Sequence, residues 1–389
     1  MGTNRDGVRA RNERLLLTHV HQNGAMAKAD IARASGLSAQ TVSVIMRNLE
    51  ADGLLRRGQP VRGRVGQPSV PMGLEPEGAY SIGLKVGRRS LDMVLVDFSG
   101  QVRHRIQRTH AYPQPDETIA FAVESYETLL THLPADRHDR IAGLGIAIPF
   151  QLWAWAKPLG APEKAMGTWR DVDLRRELAS RLSCPVILQN DASAACNAEL
   201  TFGPPDRPRE FLHFYVAYFI GGGVVQNGRL LTGRTENAGA LGSIPVPSPR
   251  GSSKQLIDFA SLSGLEARLQ AKGQSTASLW SNSEDWDIDR DILADWLDDA
   301  SWGLAHAIVA SVAVTNSGLV LIDGWLPQAL RSDLVDATQD KICSVPHIGV
   351  DLPEIVAGNV GADARVLGAA SLPLSERYFL ETQGAPLGE

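Results

Sequence analysis

Cysteine is scarce in this chain of 389 residues. Its three copies, Cys184, Cys196 and Cys343, share no metal-ligand spacing and form no disulfide framework, which fits a reducing compartment. Long apolar runs are missing too. The apolar patch over 211–220 is too short for a membrane span and ends in glycines. Residues 1–14 are polar and Arg-rich, without the apolar stretch of a secretory signal. These absences argue against membrane and secreted classes, and a cytoplasmic protein without a membrane partner is expected. Hydrophobic residues reach 43%, ample for a buried core. The length exceeds one ordinary domain and favours a small head on a two-lobed body.

What is present is organised around residues 28–55, KADIARASGLSAQTVSVIMRNLEADGLL. The spacing predicts a helix over 30–35, a sharp turn and a second helix, the helix-turn-helix pair of DNA readers. Ala32 is small enough for close helix approach, and Gly36 suits the left-handed end of the first helix. Leu37 plugs the corner, and Ser38 is placed to cap the second helix. In that helix Val42, Ile45, Met46 and Leu49 recur at i, i+3, i+4 and i+7, one buried face. The other face carries Gln40, Ser43, Val44 and Arg47. Together with Ser38 and Thr41 it supplies the amide, guanidinium and hydroxyl groups that contact base edges and phosphates in a major groove. The alternative is an ordinary helical hairpin inside an enzyme.

The flanking segments favour the DNA reading. Residues 54–57 and 70–74 read as strands around GQPVRGRVGQP, a hairpin wing whose Arg62 and Arg64 suit a narrow minor groove; a solvated linker is the alternative. A preceding helix over 8–22 turns Leu15, Leu16, His19 and Val20 inward, with His19 at the core edge rather than a ligand. The first 70 residues hold 11 Lys+Arg against 5 Asp+Glu, and the remainder 27 against 39. A head carrying +6 on a body carrying −12 is the charge footprint of nucleic-acid binding confined to one end. The expected domains are a winged head over 1–75 and a ligand-binding body over 76–389.

From residue 81 the pattern turns to strands. Segments 81–86 and 91–97 form a hairpin about 87–90, a third strand follows Gly100, and 118–132 reads as a helix before a buried strand at 141–148. A helix at 171–182, a strand at 185–189, Asn190-Asp191 and a helix at 192–200 complete a first α/β set. A second begins at Phe211 with FLHFYVAYFIGGGVVQNGRLLTG, where Asn227-Gly228 is a strong type I′ turn. Helical patterns over 253–270 and 287–314, a strand at 319–323 and a helix at 327–343 follow. Hairpins followed by alternating helices and strands, twice over, predict two similar α/β lobes and a cleft with Asn190-Asp191 at a strand end inside it.

These residues resemble the ROK family (repressors, open reading frames, kinases), in its repressor branch with a winged helix at the N-terminus. The likeness runs from about residue 8 to 372. It is carried by GLSAQTVS and LEADGLL in the head, GLGIAIP at 143–149, QNDASAACNAE at 189–199, IGGGVVQNGRLLTG at 220–233 and NVGADARVLGAA at 359–370. The resemblance implies an actin-like, sugar-kinase-type (ribonuclease H-like) α/β fold of two lobes that binds a sugar between them. It assigns Asn190 a hydrogen bond to the sugar and Asp191 the place of the kinase base, and puts Trp169 on a loop beside the sugar. Helix capping for Asp191, and a place in the interlobe core for Trp169, are the alternatives.

The chain also departs from the family. Kinase members carry Asp-x-Gly-Gly-Thr in the first hairpin, where Lys85-Val86-Gly87-Arg88-Arg89 stands here, and Gly-Thr-Gly before the second, where Ala217, Tyr218 and Phe219 stand. Bulky side chains bar the backbone approach to phosphates, and the carboxylate that supports Mg²⁺ is absent. The family's zinc cluster is missing as well: the His position holds Ser243, the sugar-binding Glu is Ala240, and no cysteine lies between Cys196 and Cys343. Glu236 and Asp258 are candidates to replace lost sugar contacts. No catalytic residue, metal or cofactor is expected.

The resulting expectation is a transcriptional repressor of carbohydrate-related genes. It binds a double-stranded DNA operator as a homodimer or homotetramer and is controlled by a sugar or polyol effector at Asn190, Asp191, Trp169, Glu236 and Ser243. A sugar kinase with a fused DNA-binding head, and a regulator switched by a protein partner, are the rivals.

Overall fold

The computed structural model describes residues 3–60, 69–205, 207–248, 251 and 253–380. The head opens with α1 (Thr3–Asn23), α2 (Lys28–Ser35) and α3 (Ala39–Ala51). Leu16, Leu17 and Val20 of α1, Ile31 of α2 and the Val42, Ile45, Met46 and Leu49 stripe of α3 make its core. The α1 face is rotated from the expected one, with Leu17 and Thr18 inside and Leu15 and His19 half-buried. Gly36 ends α2 with φ 68°, a left-handed conformation that glycine adopts without steric cost. Strands β1 (Leu55–Arg57) and β2 (Met72–Leu74) pair antiparallel, with Leu55 opposite Leu74.

The chain forms two compact units that divide at residue 190. The head shares its compact unit with the first sheet, and the chain re-enters that unit at Ala369. The sheet comprises β3 (Tyr80–Val86), β4 (Ser90–Asp97), β5 (Val102–Thr109), β6 (Ile141–Ile148) and β7 (Val186–Asn190), in the order β5-β4-β3-β6-β7. Helix α4 (Pro115–Leu130), the short α5 (Ala156–Leu159) and α6 (Glu163–Gly167), and α7 (Leu174–Ala179) connect them. Strands β3 and β4 are buried almost throughout, whereas β5 is an exposed edge carrying Arg103, Arg105 and Arg108. Cations on an edge discourage pairing with other chains.

The second unit, Asn190–Gly368, repeats the plan. It follows α8 (Asp191–Phe202) with β8 (Phe211–Val216), β9 (Gly221–Gln226) and β10 (Arg229–Leu230). The small pair β11 (Pro245–Pro247) and β12 (Ser253–Gln255) precedes α9 (Leu256–Ala260), α10 (Leu262–Ala271), α11 (Ala277–Ser281) and α12 (Arg290–Thr315). Then come β13 (Leu319–Gly324), α13 (Gln328–Ile342), β14 (Glu354–Ala357) and α14 (Ala364–Tyr378). The sheet order β10-β9-β8-β13-β14 matches the first one: an antiparallel three-strand meander, with parallel β13 and then β14 added on the other side of its first strand. The two similar α/β sets read from the sequence are therefore present. Asn227 and Gly228 both have positive φ, as a type I′ turn requires.

One expected helix is broken. Residues 253–270 form β12, α9 and α10, because Ser261 is extended (φ −88°, ψ 145°). Its hydroxyl accepts from the Ile220 amide at 3.1 Å, and its carbonyl accepts from the Trp296 indole at 3.0 Å. The indole shares the Ser261 carbonyl with the Gly264 amide (3.1 Å), so that carbonyl stays satisfied outside the helix.

Candidate functional site

In the head, Ser38 is the N-cap of α3. Its hydroxyl accepts from the Thr41 amide at 3.1 Å and lies 2.8 Å from the Thr41 hydroxyl. The buried stripe fixes the roll of the helix, leaving Gln40 and Arg47 exposed and Thr41 and Ser43 half-buried. Val44 is exposed beside them, an apolar group suited to a thymine methyl. Arg57 forms a two-toothed pair with Glu50 (2.7 and 3.1 Å), so it braces the wing strand to α3. Neighbouring Arg56 is exposed, a cation that reading the sequence did not single out. Arg62 and Arg64 lie outside the described residues.

In the second unit the chain turns from β7 into α8 at Asn190. Its side-chain oxygen accepts from Ala192 (3.0 Å) and Ser193 (3.3 Å), so the cap is Asn190 rather than Asp191. Asp191 occupies the first helical position, where a carboxylate interacts favourably with the helix dipole. Its Oδ2 lies 3.5 Å from Nη1 of Arg365, on the first turn of α14. Arg365 is buried and sits over the Tyr215 ring, 5.4 Å from its centroid. The Tyr215 hydroxyl donates to the carbonyls of Ala362 (3.3 Å) and Gly361 (3.4 Å). Burial works against the charge on Arg365, but Tyr215 and Asp191 more than offset it and the group stays cationic. Burial pushes the Tyr215 phenol well above its ordinary value. Gly368 holds this arrangement close, since a Cβ there would strike the Ala194 backbone of α8.

The other ligand candidates have different surroundings. Trp169 is buried in the first unit, and its indole N–H donates to the Pro113 carbonyl at 2.9 Å. Glu236 is exposed on a loop with φ 56°. Ser243 is exposed, and Asp258 accepts from the Gln255 amide at 3.0 Å in a capping box. Among the described residues no hydrogen bond or ion pair joins Glu236 or Ser243 to Asp191.

Both segments that depart from the kinase pattern are filled. In the first hairpin, Lys85 is buried 3.8 Å from Asp92 and Arg88 is buried against the Trp155 ring (4.9 Å). His110 bonds the Gly87 carbonyl at 3.0 Å, and burial lowers its pKa. In the second unit Tyr218 packs on Phe219 and Trp280. The carbonyls of Ala217 and Tyr218 accept from the first amides of α10, Leu262 (2.9 Å) and Ser263 (3.0 Å).

Sequence reading missed a buried polar cluster of Glu199, His213 and Asp323. Their ligating atoms lie within 4.8 Å of one another, the one group among the described residues close enough to share a metal. Both carboxylates already have partners. Glu199 pairs with Arg207 and accepts from the amides of Asn359 (2.6 Å) and Val360 (2.7 Å). Asp323 pairs with Arg331 and accepts from the Gly361 amide at 2.9 Å. Burial raises the pKa of Glu199, but His213, Arg207 and the Val360 amide outweigh it and the carboxyl titrates below its usual value. Burial lowers that of His213, although Asp323 and Glu199 act the other way. Two arginines supply the positive charge that a metal would bring, so the cluster fits a pin on the loop before α14 better than a metal centre.

Comparison with known proteins gives the same two parts. The family profile described as "ROK family" matches residues 81–376, and one described as "Winged helix-turn-helix DNA-binding" matches residues 9–56. The xylose repressor of Bacillus subtilis is 24% identical over 239 residues, 61% of each chain. The bifunctional enzyme NanE/NanK of Brucella melitensis is 31% identical over 265 residues, 66% of this chain and 48% of that one. The chain thus spans about three fifths and about half of these curated relatives. Among solved structures, a ROK family transcriptional regulator described as a homologue of the E. coli MLC protein superposes with TM-score 0.67 at 21% identity, covering 95% of this chain and 97% of that one.

Proposed function

The chain belongs to the ROK family, and from that premise we propose that it is a DNA-binding transcriptional regulator, a repressor of carbohydrate-related genes. A sugar or polyol-like effector held at Asn190 and Asp191 sets its operator affinity, and no phosphoryl transfer accompanies it. The fold is a winged helix-turn-helix followed by two α/β sets of the sugar-kinase type. The observation that carries the reading is α3, whose buried stripe leaves Gln40 and Arg47 exposed on one face. The relative named a xylose repressor supports it. Helix-turn-helix proteins read two half-sites about one duplex turn apart, so a two-fold assembly is the working state. No described helix is long and apolar enough to cross a membrane, and the place of action is the cytoplasm.

Fluorescence anisotropy on operator fragments recovered by genomic selection tests this. Arg47→Ala is expected to weaken binding by about 1–3 kcal/mol if the guanidinium reads a guanine. Unchanged protection by the Gln40→Ala, Arg47→Ala double variant removes α3 as the reader. The likeness to NanE/NanK keeps a sugar-kinase reading in view. A coupled assay decides it: sugar-dependent ADP release lost in Asp191→Asn would make the chain a kinase. The filled hairpins at Lys85–Arg89 and Ala217–Phe219 argue for no turnover.

A further inference from the structure

We propose that Arg365 and Asp191 form a subsite for an acidic group on the effector, so that the ligand is a sugar carrying a carboxylate or a phosphate. This rests on the reading above that an effector binds at Asp191, and specifies its chemistry.

The first argument is the state of the guanidinium. Arg365 is 9% exposed, and its Nε has no hydrogen-bond partner among the described residues. Its pair with Asp191 spans 3.5 Å, at the outer limit of a hydrogen bond. Tyr215 and Asp191 keep the group cationic, yet they leave one donor of the buried fork without an acceptor. Stacking on Tyr215 covers one face of the fork and supplies no acceptor for Nε.

The second argument is the placement. Arg365 is the second residue of α14, where the positive end of the helix dipole disfavours a cation. Asp191 opens α8, and Gly368 lets α14 lie against the α8 backbone at Ala194. The fixed charges nearby are therefore a guanidinium and the positive ends of two helices, against Asp191, the half-exposed Asp363 and Asp323, the last already paired with Arg331. Such a concentration suits an anion, and the planar fork of arginine matches the paired oxygens of a carboxylate or phosphate. The acidic group takes the N–H groups of Arg365. Asp191, released from the loose pair, accepts from a neighbouring hydroxyl, and the amide nitrogen of Asn190 remains a donor because its oxygen caps α8.

Isothermal titration of the full chain with matched probes tests the proposal: xylose against xylonate, and glucose against glucuronate and glucose 6-phosphate. Acetate and inorganic phosphate serve as free-anion controls. At least one acidic probe is expected to bind tenfold or more tighter than its neutral partner. Arg365→Met should collapse that ratio to near one, and Arg365→Lys should retain part of it, which separates recognition from misfolding when both variants melt cooperatively. The carboxylate and phosphate arms identify which acid the site prefers. Equal affinity for neutral and acidic partners, unchanged in Arg365→Met, overturns the acidic subsite and leaves a neutral-sugar effector standing. Failure of every probe to bind, with operator binding intact, overturns both the subsite and the effector reading.

Discussion

Asn190 and Asp191 are adjacent yet do different work. The Asn190 side chain satisfies two amides at the start of α8, while Asp191 faces the guanidinium of Arg365. Asn190→Ala is therefore expected to cost about 1 kcal/mol of stability, as loss of a helix cap does, read from the urea midpoint. Asp191→Ala is a poor probe of ligand binding, because it leaves Arg365 buried without its counter-ion. Asp191→Asn keeps the shape and an acceptor. It is expected to leave operator affinity unchanged and to abolish the effector response, measured by anisotropy with and without ligand. The Asn190-Asp191 pair was legible because both residues sit at a strand end before a helix. Arg365 was not, because its partner lies 174 residues away and its local pattern is only a helix start.

Among the elements, α3 was read almost residue for residue, since its four buried positions repeat with the helical period. The 253–270 segment was misread because the groups that break it, Ile220 and Trp296, are remote in sequence. Helix α14 shows the same limit. Pro373 within it has no N–H for the Ala369 carbonyl, and that carbonyl lies against Gly145 of β6. A Cβ at Gly145 would strike the Ala369 oxygen, so Gly145→Ala has to displace the helix. A loss of about 3 kcal/mol or more in urea unfolding is expected, at the severe end for overpacking. Beyond α14, the backbone of Phe379 accepts from Arg14 Nε at 2.9 Å and the Leu380 amide donates to Thr18 at 2.9 Å. The Phe379 ring stacks on His21 (4.4 Å) and on Phe98 (5.7 Å). Phe379→Ala is expected to cost about 3–5 kcal/mol and to raise amide exchange in α1 selectively, as mass spectrometry would show.

For the molecule as a whole, the buried imidazole of His213 ties stability to pH. Its folded-state pKa is lowered by burial, so below the ordinary value near 6.5 the unfolded chain binds a proton that the folded chain does not. Stability is then complete above that value and lost as pH falls. A group that stays neutral when folded contributes a loss of about 1.4 kcal/mol between roughly pH 7.5 and 5.5. His110 acts in the same sense. Glu199, whose pKa is lowered, adds a further loss at more acid pH, as its folded carboxyl takes a proton. Urea titrations across this range should show the slope, and His213→Phe should flatten its upper part. The doubled α/β plan and the basic head were legible because composition and periodicity are local. The pairing of Arg14 with Phe379 joins residues 365 positions apart and leaves no such trace.

That separation has a consequence in time. The helix-turn-helix is made early in translation, whereas Phe379 and Ser375, whose carbonyls accept from Arg14 of α1, emerge some 360 residues after Arg14. At synthesis rates of roughly 5–20 residues per second the interval is on the order of tens of seconds. Throughout it the nascent head is without its dock, able to fold but not yet oriented, beside a body still leaving the ribosome. A stall or truncation late in the message would release a chain with a finished helix-turn-helix and without the Phe379 and Leu380 contacts to α1. Such a fragment is expected to compete poorly for an operator that demands two heads at a set spacing.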